Sequence, residues 1–168
     1  ISDRKKAQHE AHVLVWSLMG ASSDSVLPPS GVILIGRAYR DLGLNEQMAA
    51  TYEKALAQGV ADRLAEEIRY DLAEFSLSAG RREAGIEQLT RLAEAEGERW
   101  SQRAGLRLAE IALDERRADN CLNWCRKLLE HPATANSPTI LSLMGRAYEL
   151  AGDHHKAAVC FSGHSPAK

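Results

Sequence analysis

The chain has 168 residues, 45% of them apolar and 26% charged, the balance of a globular domain with a continuous core. Its 21 basic and 23 acidic residues give a formal charge of −2, without the basic excess that binding to nucleic acid or an anionic membrane calls for. No apolar run reaches the roughly 18 residues that span a bilayer; the longest, residues 12–20, is about half that.

Ala, Leu, Glu and Arg dominate, aromatics are 5%, and β-branched residues never alternate, so the chain reads as all helical. Three cysteines are an odd number at unremarkable spacings, which argues against a disulfide framework and leans towards a reducing compartment, the cytoplasm over the periplasm. The first residue is Ile1, so a signal or anchor outside these residues is compatible with everything here.

A first helix is expected at residues 4–21, where Ala11, Leu14, Val15, Leu18 and Ala21 form one apolar face. Pro28 and Pro29 start the next element, a second helix expected from about Ser30 to Leu42 that stops at Gly43. Asn45 is the expected N-cap of a third helix, and Asp62 that of a longer fourth helix ending near Ala79 with Gly80 as its left-handed cap. A fifth helix covers residues 82–96, softly interrupted at Gly85, and Gly97 breaks it. The sixth and seventh cover residues 98–115 and 118–130. Ser137 and Pro138 begin an eighth, which Gly152 stops, and Asp153 caps a ninth that ends by Gly163. Connections stay below roughly ten residues, so no linker or second domain is expected.

The segment Gly36-Arg37-Ala38-Tyr39 followed by Gly43 recurs as Gly145-Arg146-Ala147-Tyr148 followed by Gly152, with 109 residues between both pairs of landmarks. That is about three units of 36, and two weaker units fill the gap: Leu72-Ala73 with Gly80, and Leu108-Ala109 with Arg116. The pattern resembles the tetratricopeptide repeat, a helix–turn–helix unit of about 34 residues. That family places a small residue at the helix crossing, an aromatic three residues on and a turn glycine four beyond. In the second helix of a unit, Met48, Tyr52 and Ala55 fit, as do Ala157 and Phe161. In the middle units Ser76 and Ala112 replace the tyrosine, Leu89 and Cys125 the aromatic, and Arg116 the turn glycine; their first helices look about a turn longer.

The resemblance implies an all-α, right-handed α-solenoid of antiparallel helix pairs, about four repeats plus an N-terminal helix. A single domain over residues 1–168 would hold repeats at 29–62, 63–97, 98–133 and 134–168. Residues 1–28 would be a half-repeat or capping helix, since Leu14, Leu18 and Ala21 fall on the core positions of a unit's second helix. With a half-unit at the start, and a stop just after a unit's second helix without the polar capping helix that arrays usually need, an excised part of a longer array is expected.

In this family ligands lie in the concave groove lined by the first helix of each pair. The matching positions are Arg37, Arg40 and Asp41; Glu67, Tyr70, Asp71 and Glu74; Arg103, Arg107, Glu110 and Asp114; then Arg146 and Glu149. Ile33, Arg37 and Asp71 stand where chaperone-binding members carry a lysine–asparagine carboxylate clamp, so that clamp is not reproduced. A peptide of alternating charge suits the groove better, with Arg37 and Arg146 as equivalent anchors; solvation of a helix face is the plainer account of each charge.

Cys121 and Cys125, four apart on one helix, read as compact core residues. His154, His155, Cys160 and His164 cluster in sequence but match no structural zinc spacing, and no metal or cofactor is expected. The chain has no GxSxG elbow and no phosphate-cradling glycine loop, so no active site is expected. The expected role is a protein–protein interaction scaffold holding a peptide or partner protein, within a larger assembly or secretion protein. Rivals are a spacer or self-associating array segment and the non-catalytic domain of a larger enzyme. An RNA-binding helical repeat is disfavoured by the acidic balance.

Overall fold

The computed structural model describes residues 29–95 and 98–166. The helix expected at residues 4–21, and its reading as a half-repeat, lie outside the described residues. The described residues form eight helices and no strand: α1 (Pro29–Asp41), α2 (Asn45–Ala57), α3 (Asp62–Ser78), α4 (Arg82–Ala93), α5 (Glu98–Asp114), α6 (Ala118–Leu129), α7 (Pro138–Leu150) and α8 (His154–Phe161). Within residues 29–80, and separately within residues 81–166, successive helices pack against each other as antiparallel neighbours. The 17-residue α3 and α5 are about one turn longer than the 13-residue α1 and α7, as the sequence spacing predicts.

The chain divides into two compact units, one ending at Gly80 and the other beginning at Arg81. In the first, Ile33, Tyr39, Met48, Tyr52, Ala55 and Ile68 form the core, with Leu72 and Phe75 packed on it. In the second, Ala109, Cys121, Cys125, Leu143, Met144, Ala147 and Cys160 do so. Each core draws on both helices of a pair, because one amphipathic helix cannot bury its apolar stripe alone.

The glycine of each GRAY segment is a packing device. A Cβ built on Gly36 would lie 2.1 Å from Cε1 of Tyr52, and one on Gly145 would lie 2.5 Å from Cε1 of Phe161. At both places the aromatic of the second helix lies directly over the backbone of the first. Where the crossing residue is Ala109, the partner position holds the smaller Cys125, and both are fully buried.

Turns repeat as closely as crossings. After α1, the Gly43 amide donates to the Arg40 carbonyl at 2.9 Å and the Leu44 amide to the Tyr39 carbonyl at 2.8 Å. The same Schellman pair follows α7, from Gly152 and Asp153 to Glu149 and Tyr148, and α5, from Arg116 and Arg117 to Leu113 and Ala112. Gly43 and Gly152 have φ of +71° and +81°; Arg116, in the same role, is forced to +59°. A side chain there costs more than the chain entropy glycine would lose, so Arg116→Gly should raise stability by about 0.5–1 kcal/mol, read as a higher urea midpoint at unchanged m-value.

Several expected helix starts are corrected. Leu44 and Ala61, not Asn45 and Asp62, occupy the N-cap positions, and neither makes a side-chain cap bond. The Schellman turn delivers the chain into α2 at Leu44, so Asn45 is already helical. Asp62 sits instead in the first turn of α3, where its charge faces the positive end of the helix dipole. Ser137 holds the cap position of α7 without a side-chain bond. Asp153 does cap α8, its carboxylate accepting from the Lys156 amide at 3.1 Å; that bond holds its pKa below the usual carboxylate range. α4 runs unbroken through the buried Gly85, since one internal glycine costs a helix only about 1 kcal/mol against alanine.

Candidate functional site

In the first unit the first-helix charges are tied together. The Arg37 guanidinium grips Glu67 with both arms, Nε to Oε1 at 2.7 Å and Nη2 to Oε2 at 2.6 Å, and this bond raises its pKa further. Arg40 Nη1 donates to Asp71 Oδ2 at 2.6 Å, and the Tyr52 hydroxyl donates to the same oxygen at 3.2 Å. Asp71 is buried, and burial pushes its carboxyl above the usual range despite the opposing charge of Arg40. Tyr70 is buried too, Glu74 is half-buried and Asp41 is exposed. A ligand on this face would therefore meet Arg40 and the Arg37–Glu67 pair, and reach Asp71 only through Arg40.

In the second unit the corresponding residues frame a cleft of about 610 Å³ between α5 and α7. Arg107, Glu110 and Asp114 come from α5, and Ser142, Leu143 and Arg146 from α7. Arg107 Nη1 donates to Glu110 Oε2 at 3.1 Å, so these two charges largely offset each other within one turn. Arg146 is exposed and makes no ion pair with any described residue. Glu149 is exposed outside the cleft lining. Arg103 stands over the ring of buried Trp100, 5.1 Å from its centroid, and does not line this cleft.

The structure brings the sequence candidates Arg107, Glu110, Asp114 and Arg146 to one place, where Leu113, Pro138, Thr139, Ser142 and Leu143, not singled out as site residues from the sequence, complete the lining. Thr139, Ser142 and Arg146 follow one another at three- and four-residue steps, so the helix period that nominated Arg146 also marks them.

All three cysteines are buried and reduced. His154, His155 and His164 are exposed while Cys160 faces the core, so these four do not gather, and no cluster of ligand residues able to hold a metal ion occurs among the described residues. No described helix is long and apolar enough to cross a membrane.

The fold and its crossings define a helical-repeat chain of tetratricopeptide type. Residues 32–57 match the family model for the tetratricopeptide repeat, whose characteristic role is that of a protein-interaction scaffold. The chain is similar in fold to two crystal structures of MamA, with TM-scores of 0.71 and 0.68 and sequence identities of 16% and 17%. Those matches cover 97% of this chain, and 91% and 85% of the respective MamA chains. A similar match is found with BtubC from P. vanneervenii, at TM-score 0.68 and 18% identity, covering 99% of this chain and 77% of that one. At such identities the likeness is one of fold. None of the curated proteins compared with the chain matches it.

Proposed function

We propose that the protein is a scaffold whose second unit seats an extended or helical peptide of a partner protein in the cleft between α5 and α7, as part of a larger assembly or secretion protein. The observation that carries this reading is Arg146, an exposed cation without a carboxylate partner among the described residues, on the same cleft as Asp114. With Arg107 and Glu110 offsetting each other, the two remaining charges are of opposite sign and suit a ligand that alternates acid and base. Leu113, Leu143 and Pro138 supply apolar floor between them. In the first unit, Arg40 and the Arg37–Glu67 pair present charge to the same kind of ligand, with Asp71 and Tyr70 beneath them as support.

The test is an array of alternating-charge peptides, with affinities measured by fluorescence anisotropy. Arg146→Glu should weaken the best binder roughly tenfold or more while leaving the circular dichroism spectrum unchanged. Undiminished binding removes the cleft from the reading. A chain that instead self-associates through Phe161, about half of which is exposed, would keep its concentration-dependent assembly in this variant.

A further inference from the structure

A second surface lies on the other side of α5. Gly105 faces α6, whereas Arg107, two residues and about 200° of helical turn further on, faces the α5–α7 cleft. On α6, Cys121, Leu122, Cys125 and Leu128 are buried, and Trp124 sits at the flank of that stripe, half-buried. Trp124 borders two hollows at once. A smaller one, about 190 Å³, lies over Gly105 between α5 and α6; a larger, about 510 Å³, runs along the outer face of α6.

Gly105 keeps the smaller hollow open. A Cβ there would stand 3.2 Å from Cδ2 of Leu128 and 3.7 Å from Cε3 of Trp124, occupying the space beside the indole. Ala93, Leu128 and the Trp124 ring give it an apolar part with room for one aliphatic side chain, and Ser101, Gln102 and His131 also line it.

The charges around it are cations without acids. Lys127 holds its ammonium 4.6 Å from the centroid of the Trp124 ring, and Arg126 donates only to the neutral Asn123 side chain, at 3.2 Å. Neither has a carboxylate partner among the described residues. Glu130 is the one acid lining either hollow, so the edge of the indole is net positive. Lys127 is positioned by the ring before any ligand arrives, which lowers the ordering cost of using it.

We infer that this α5–α6 face, centred on Trp124, is a second docking surface for an acidic peptide segment of a partner protein, with one aliphatic side chain in the Gly105 hollow and flanking carboxylates on Lys127 and Arg126. It is independent of the α5–α7 cleft, so one chain would hold two segments at once.

The probe is a fluorescein-labelled peptide bearing two glutamates on each side of a single leucine, titrated against the whole chain. Saturable binding is expected, weakened roughly tenfold or more in the double variant R126E/K127E. Gly105→Ala should weaken the leucine peptide but not a control with glycine in place of leucine. Arg146→Glu should leave this binding unchanged, which separates this surface from the cleft of the proposed function. No saturable binding overturns the inference, as does binding indifferent to the charge reversal. Tighter binding of a single-stranded RNA oligomer of equal charge overturns it too, by making the surface a generic anion site.

Discussion

Gly36→Ala is expected to cost about 3 kcal/mol of folding stability or more, at the top of the range for an overpacked core. The added methyl would meet Cε1 and Cδ1 of Tyr52 at 2.1 and 2.5 Å, closer than side chains tolerate. Tyr52 cannot give way: it is fully buried, and its hydroxyl is held by Asp71. Gly145→Ala poses the same clash against Phe161 at 2.5 Å, but about half of that side chain is exposed and it can swing outward, so about 1 kcal/mol is expected. Urea unfolding followed by circular dichroism measures both. In a double-mutant cycle, Tyr52→Leu in the Gly36→Ala background should cost less than the two changes added separately. Equal costs at Gly36 and Gly145 would show that the tyrosine is not pinned.

Asp71→Ala should cost about 2 kcal/mol, chiefly by leaving the buried Tyr52 hydroxyl without an acceptor. Arg40 adds little, because 39% of its side chain is exposed and its charge can turn to water. Asp71→Asn should cost clearly less, since an amide oxygen still accepts from Tyr52 and the desolvation of a carboxylate disappears. The pH dependence follows from the raised pKa of Asp71, whose main cause is burial. A carboxyl that titrates higher in the folded chain binds more protons there than unfolded. Stability therefore falls as pH rises through the window between the ordinary carboxylate value and the raised folded one. Wild type should gain on Asp71→Asn as the pH is lowered through that window, with the gain complete below the ordinary value. A wild-type chain that instead loses ground to Asp71→Asn on acidification would show that the Arg40 pairing outweighs burial.

Helix positions were legible because their signals are local. Turn glycines, an aspartate cap at Asp153 and apolar steps of three and four act within a few residues, and the 109-residue offset between the GRAY segments carried that register along the chain. Even the displaced turn residue could be named: Arg116 adopts the left-handed conformation its alignment with Gly43 and Gly152 requires. Helix starts were less legible. Asn45 and Asp62 carry cap-type side chains, but one residue of extra helix, set by the preceding turn, moves them inside. Trp124 was not marked at all, because its importance depends on Gly105 from another helix, and no periodicity links the two.

By itself, then, the amino-acid order determined an all-helical chain of tetratricopeptide type and the faces each helix would turn inward. It could not rank the charges on those faces. Arg37 and Arg146 stand at equivalent places and carry the same side chain, yet Arg37 is clasped by Glu67 from α3 while Arg146 lines an open cleft without a carboxylate partner among the described residues. Only the tertiary structure decided that difference, because a guanidinium's availability depends on which carboxylates neighbouring helices bring within about 3 Å of it, and no repeat register specifies those.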